Sequence, residues 1–251
     1  MNLTILGFSP PYTNPGRATS SYLLEVAEYK LLLDCGHGSV GRLLERIQPN
    51  ELNGILISHM HPDHFYDLIV LRNTFFKRKL KKIPLYLPPE GKIILQDVIQ
   101  ATRLPENYIS DFFDMTEYDP QKTLEISNFS ITMSKNIHPI NTYAMKFEEK
   151  NNSSVFIYTS DTAAYQGLSA FCKSSDLIMV ECTDYPQPTV SAQRWHLSPE
   201  EVVALLKESK PTRCIITHYE AKDKANICKI LGPLKNETNI YFAEEFGEYL
   251  I

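Results

Sequence analysis

Gly54-Ile55-Leu56-Ile57-Ser58-His59-Met60-His61-Pro62-Asp63-His64 runs from a short apolar strand straight into the pattern H-x-H-x-D-H. Two histidines two residues apart converge on one cation when the chain turns. Asp63 and His64 then face a neighbouring cation. Divalent zinc, iron or manganese accepts this mixture of imidazole and carboxylate. One short stretch cannot complete two coordination shells, so further ligands must come from distant segments.

Working outward, three residues stand where such ligands are delivered. His138 follows the apolar strand around Ile131. Asp161, in Thr159-Ser160-Asp161-Thr162, follows a strand ending at Tyr158. His218, in Thr217-His218-Tyr219, follows Cys214-Ile215-Ile216. Each is a polar residue placed directly after an apolar strand, at the edge of a sheet.

The surrounding pattern alternates strands and helices. Strands are expected at 3–8, 20–26, 30–33, 54–57, 83–87, 123–126, 129–134, 143–148, 155–158, 177–180, 214–216 and 240–242. Helices are expected at 40–47, 64–76, 91–101, 163–172 and 225–231. Another begins at Ser198-Pro199-Glu200-Glu201, where serine caps, proline takes the first turn and Glu201 completes a capping box. The acidic, aromatic segment 103–118 fits neither pattern. Strand groups in both halves with helices between them predict two sheets covered by helices. The expectation is one domain over 1–251, with internal halves near 1–122 and 123–251.

Composition narrows the function. The 251 residues are 43% hydrophobic and 22% charged, which is globular. A net charge of -5 argues against a nucleic-acid coat protein or a polybasic membrane binder. Cysteines 35, 172, 182, 214 and 228 form no close pair, which suits a reducing interior. No stretch approaches the roughly 20 apolar residues of a spanning helix. The start lacks a basic segment followed by an apolar run. A cytoplasmic protein is expected, with no membrane partner. The one basic run is Lys77-Arg78-Lys79-Leu80-Lys81-Lys82. It reads as a solvated helix end, or as five charges (Lys77, Arg78, Lys79, Lys81, Lys82) steering a phosphate-rich substrate.

The ordered set His59, His61, Asp63, His64, His138, Asp161 and His218 resembles the metal ligands of the metallo-β-lactamase superfamily, across essentially the whole chain. The resemblance implies an α/β fold, the αββα sandwich, with the metal site at one edge of the sheets. It implies two divalent metal ions, zinc first, with manganese or iron accepted. His59, His61 and His138 would hold one ion and Asp63, His64 and His218 the other, with Asp161 bridging. Asp63 counts as catalytic as well as ligating. Asp34, in Leu33-Asp34-Cys35-Gly36, is similar to the aspartate that supports the ligand loop.

Within the superfamily the chain is most similar to the ribonuclease Z and phosphodiesterase-like branch. Asp161 stands where many lactam-hydrolysing members place a cysteine. Val180-Glu181-Cys182-Thr183 and Trp195-His196-Leu197-Ser198 resemble segments of the tRNA 3'-processing nucleases. The likeness implies that Glu181 and His196 form a catalytic dyad near the leaving group and that a hydroxide held by the metals is the nucleophile. It also implies a homodimer. The nucleases carry a long tRNA-gripping arm between the positions of His138 and Asp161. Here 22 residues separate them, filled by two strands and a turn. The expected substrate is therefore a small phosphodiester, a nucleotide or short RNA, with structured tRNA disfavoured. Two readings stay open beside it. One is hydrolysis of a thioester, lactone or other carbonyl ester; the other is a non-catalytic nucleotide- or metal-binding protein.

Overall fold

Strand β2 (Ser21–Val26) shows how the layers form. Its Tyr22, Leu24 and Val26 enter one buried cluster, while the intervening Leu23 enters another. A strand that is apolar on both faces must be covered on both. The computed structural model describes residues 1–186, 193–234 and 236–251 and places two seven-stranded sheets face to face. In the first, the order is β14 (Glu248–Leu250), β1 (Asn2–Gly7), β2, β3 (Tyr29–Leu33), β4 (Gly54–Leu56), β5 (Ile83–Leu87), β6 (Phe113–Glu117). In the second it is β13 (Asn239–Phe242), β12 (Arg213–Thr217), β11 (Leu177–Glu181), β10 (Val155–Tyr158), β9 (Tyr143–Glu149), β8 (Phe129–Lys135), β7 (Leu124–Ile126).

The larger cluster joins Leu3, Tyr22 and Leu33 of the first sheet to Phe129, Phe147 and Phe156 of the second. The smaller one packs Leu23, Leu32 and Ile55 against α1 (Ser39–Arg46), α3 (Leu68–Arg78) and α4 (Gly91–Ala101), through Leu43, Leu71, Phe75 and Leu95. Helices α5 (Gln166–Phe171), α6 (Pro199–Ser209) and α7 (Lys224–Leu231) supply Leu168, Val202, Leu206 and Ile227 to the larger cluster. This is the expected helix–sheet–sheet–helix sandwich. No described helix is long and apolar enough to cross a membrane.

Strand direction decides where the polar residues gather. β3, β4 and β5 pair in parallel, as do β10, β11 and β12. Parallel neighbours deliver their carboxyl ends to one edge, where ligand sites of such sheets form. Asp34, Ser58, Asp161, Glu181 and His218 all lie at those ends. β9 runs antiparallel to both β8 and β10, so the end of β8, followed by His138, reaches the same edge.

Three elements differ from the pattern reading. The helix expected over 64–76 is split into α2 (Pro62–Phe65) and α3. The break frees the Asp67 carboxylate to accept from Val40 N at the start of α1, 3.0 Å away. The undecided segment 103–118 yields β6, a half-exposed edge strand parallel to β5. The chain's last strand, β14, returns to the first sheet and pairs with β1. It covers an edge that would otherwise expose unpaired backbone groups, so residues 248–250 do not stay with the half 123–251.

Helix α6 starts as its sequence predicts. Ser198 Oγ accepts from Glu201 N, and Glu201 Oε2 accepts from Ser198 N at 2.9 Å. Ser198→Ala is expected to cost about 1 kcal/mol and to lower Tm by about 2–4 °C. Thermal unfolding followed by circular dichroism checks it; an unchanged Tm would mean that the cap contributes nothing.

Candidate metal centre

The loop after β4 is held by a carboxylate from the loop after β3. Asp34 Oδ1 accepts from Ser58 N at 2.7 Å. Its Oδ2 accepts from Ser58 Oγ at 2.9 Å, from His64 Nδ1 at 2.8 Å and from Tyr158 OH at 2.9 Å. Asp34 is fully buried, with φ at 58°, a left-handed backbone rarely adopted outside glycine. Ser160 and His218, at the ends of β10 and β12, are left-handed too, at 52° and 54°. Gly36 is required for a different reason. A Cβ there would lie 2.0 Å from Asp63 O, so only glycine lets the two loops touch.

The seven expected ligands come together in two sets. Ligand atoms of His59, His61, His138 and Asp161 lie within 4.8 Å of one another, and so do those of Asp63, His64, Asp161 and His218. Asp161 belongs to both sets. Its Oδ2 lies 3.7 Å from His59 Nε2, 3.5 Å from His64 Nε2 and 3.7 Å from His218 Nε2.

Hydrogen bonds fix which nitrogen of each ring faces inward. His59 Nδ1 donates to Ser58 Oγ at 3.1 Å, and His64 Nδ1 to Asp34. His138 Nδ1 donates to Trp195 O at 3.1 Å, and His218 Nδ1 to Thr183 Oγ1 at 2.7 Å. All four then turn Nε2 into the cluster. His61 turns Nδ1 instead, 3.0 Å from His138 Nε2. Partners that orient ligating imidazoles in this way are the usual support of a metal site.

These residues fit divalent cations. His59 Nε2, His64 Nε2 and Asp161 Oδ1 are buried and have no hydrogen-bond partner, and such orphans cost about 1–3 kcal/mol each. Cations at the two foci would satisfy all three. Protonation agrees. Burial pushes His59 well below the ordinary histidine range, lowers His61, and brings His138 down to about 4. Those rings are neutral and ready to ligate. Burial opposes charge on His64 as well, but Asp161, Asp63 and Asp34 outweigh it and raise His64 well above its usual value. Burial alone would raise the carboxyl of Asp161, yet His218 and His64 hold it well below the usual range. His64 thus carries the positive charge that the carboxylates demand.

Beside the two sets lies a second support that the sequence reading only half contained. Glu181 Oε1 accepts from Thr162 N at 2.9 Å and from His196 Nδ1 at 3.0 Å. Its Oε2 accepts from Thr183 N at 3.1 Å and from Thr183 Oγ1 at 2.6 Å. Thr183 links Glu181 to His218, since its hydroxyl donates to the carboxylate and accepts from the imidazole. Thr183, Ser58 and Tyr158 were not among the expected site residues. The short spacing of Glu181-Cys182-Thr183 was the available signal for Thr183. Arg194 anchors the loop that carries His196: Nε binds Asp184 at 3.0 Å, and Nη1 and Nη2 bind Glu201 at 2.8 and 2.9 Å.

The structure does not bring the basic run to the cluster. Residues 77–82 end α3 and lead into the start of β5, the end of the sheet opposite the cluster. Arg78 reaches Gln48, which precedes β4, and Lys82 pairs with Asp114 of β6 at 2.9 Å.

Comparison with known proteins agrees with this fold. The family described as Anti-Pycsar protein Apyc1 matches residues 1–244. A Bacillus subtilis relative, Probable metallo-hydrolase YhfI, is 28% identical over 224 residues, spanning 87% of this chain and 86% of the relative. The crystal structure of the metallo-β-lactamase fold protein YhfI superposes with a TM-score of 0.83 at 24% identity, over 99% of both chains. Unliganded yeast PDE1 gives 0.80 at 15% identity, over 100% of this chain and 99% of its own. The short form of human tRNase Z gives 0.77 at 19%, over 100% and 99%.

Two outcomes are expected. A ligand must shed its proton before it binds metal. The set containing the raised His64 should therefore lose its ion first as pH falls from 8 toward 5, while the set with neutral His59, His61 and His138 holds its ion to lower pH. Metal content after dialysis at stepped pH checks this; simultaneous loss would contradict it. Thr183→Val should weaken binding of the ion held by His218 by about 10–100-fold, and Thr183→Ser should restore it, as read by titration against a metal buffer.

Proposed function

Because this chain belongs to the Anti-Pycsar protein Apyc1 family, within the ribonuclease Z and phosphodiesterase-like branch of the metallo-β-lactamase superfamily, we propose that it is a dinuclear metal-dependent phosphodiesterase acting on a small nucleotide diester. The observation that carries the reading is the His196–Glu181 pair set against the shared carboxylate. His196 Nδ1 lies 3.0 Å from Glu181 Oε1 and 3.9 Å from Asp161 Oδ2, and its ring stacks on His218 with centroids 5.7 Å apart.

His59, His61 and His138 would hold one ion, and Asp63, His64 and His218 the other, with Asp161 between them. When bound, the ions would supply Lewis acidity at the phosphoryl oxygens and lower the pKa of water. The protein's own residues supply the rest. Burial alone would lower His196, but the Glu181 carboxylate overrides it and raises the ring to about 10. At neutral pH His196 therefore carries a proton on Nε2, while Nδ1 is occupied by Glu181. A sugar alkoxide leaves poorly without a proton, and a positioned imidazolium can donate one. Glu181 keeps the ring oriented and, through Thr162 N, holds the loop bearing Asp161.

A small substrate agrees with the segment between His138 and Asp161. It is occupied by β9, β10 and their turn, and presents no extension for gripping structured tRNA. Zinc as the bound metal, a cytoplasmic setting and a homodimeric state belong to the same reading, carried by the resemblance and by an all nitrogen and oxygen donor set.

His196→Asn should retain two metal ions per chain yet lose about 10²–10⁴-fold in turnover of a 3',5'-cyclic nucleotide. Its turnover of bis(4-nitrophenyl) phosphate should fall far less, because nitrophenolate leaves without a proton. Metal analysis and steady-state kinetics on one preparation check it. Equal losses on both substrates would remove His196 as the proton donor.

A further inference from the structure

A cavity of about 530 Å³ runs along α4 past Gln96, Arg103 and Met115, and no ligand residue lines it. A second cavity, of about 250 Å³, shares a wall with the metal centre. Its lining includes His138 and Met60, which lies between the ligands His59 and His61. Glu90, Ile94, Ile140 and Asn141 line it as well. The volume equals about eight waters at ~30 Å³ each, the scale of one heterocyclic base.

We infer that this second cavity seats the base of the nucleotide and that Glu90 and Asn141 select a base bearing an exocyclic amino group. The inference rests on the phosphodiesterase reading for the placement of the phosphate at the metal centre.

The cavity has the two surfaces that a base needs. Met60, Ile94, Ile140, Pro89 and Pro139 supply its apolar lining. The edge is polar and one-sided. Asn141 Nδ2 donates to Glu90 Oε2 at 2.8 Å and to Pro89 O at 3.5 Å. Opposite a carboxylate the amide must present its nitrogen, which settles its orientation. Both amide hydrogens are then engaged, so Asn141 Oδ1 and Glu90 Oε1 remain as acceptors. An edge of acceptors pairs with N–H donors. Cytosine, adenine and guanine offer an amino group; uracil sets a carbonyl oxygen at the place of the cytosine amine.

The acceptors are held in place. Glu90 has φ 70°, a left-handed conformation unusual outside glycine. Gly91 N donates to Pro88 O at 2.8 Å, and a Cβ on Gly91 would approach Leu87 Cβ to 2.8 Å. The turn before α4 is therefore tightly packed, and Lys135 adds a cation to the cavity lining. The competing seat is the exposed ring of Tyr12, on the face shared with Glu220, Asp184 and Glu181.

The test uses the metal-loaded full chain with a ¹³C-labelled Met60 methyl, titrated with CMP, AMP and UMP. The methyl signal is expected to shift, with Kd for CMP and AMP about tenfold below that for UMP. Glu90→Gln should bring CMP to the UMP value. Ile94→Trp, which fills the cavity, should weaken all three. The kcat/KM ratio of cyclic CMP to cyclic UMP should fall with Glu90→Gln as well. Equal wild-type affinities with an unmoved Met60 signal would overturn the inference. So would binding that is lost in Tyr12→Ala and kept in Ile94→Trp. Selective binding without any diester turnover would support the base seat while sinking the phosphodiesterase reading. Diester turnover without selective binding would sink the base seat alone.

Discussion

Burying a carboxylate without cost requires a full set of donors, and Asp34 has one. Four hydrogen bonds reach it from the loop after β4, from α2 and from the end of β10. Removing an ion from water carries a penalty of several kcal/mol, repaid only when its partners are well placed. The positions of those partners are therefore strongly determined. One anion ties the two sheets together at the edge where they meet. It also orients His64 and, through Ser58, His59. The left-handed backbone at Asp34 is tolerated because so many contacts require it there.

Glu181 orients rings in the same way within the second sheet. It is fully buried and accepts four hydrogen bonds, one from Thr162 N, one from the ring of His196 and two from Thr183, whose hydroxyl carries its influence to His218. Asp34 and Glu181 stand outside the two sets that share Asp161, yet between them they orient four of the imidazoles. The first sheet brings His59, His61, Asp63 and His64, and the second brings His138, Asp161 and His218. The dinuclear arrangement exists only because the sheets pack at that edge. Its metal hydrolase chemistry is a property of the sandwich rather than of any one loop.

The candidate ligands were legible in the sequence because each obeys a local rule. His59 to His64 form a compact motif, and His138, Asp161 and His218 each follow an apolar strand. Their supports were less legible. Ser58, Tyr158 and Thr183 are ordinary polar residues until the fold sets the ends of β4, β10 and β11 at one edge, and no hydrophobic pattern expresses that meeting. Helix 64–76 was misjudged because apolar periodicity does not register the tertiary bond from Asp67 to Val40 N. β14 was missed because three residues at the chain end carry little pattern, while its reason for forming is the open edge of β1. The basic run was legible as charge but not as position.

That position bears on how the centre meets an anionic substrate. Helix α3 begins beside the ligand loop and spans 11 residues, or about 16 Å at 1.5 Å per residue. The Debye length at physiological ionic strength is about 8 Å. Charges at the far end of α3 are therefore screened through roughly two such lengths before reaching the cluster. The field at the centre is instead set by its own groups: three histidines kept neutral by burial, two kept charged by carboxylates, the buried carboxylates Asp34, Asp63, Asp161 and Glu181 themselves, and the cations that the two sets would hold. Attraction of this kind is short-ranged and favours a ligand that enters the edge of the sandwich over one laid along the surface. The overall charge of -5 and phosphate chemistry are then compatible, because cations held where the two sheets meet would supply the positive potential there.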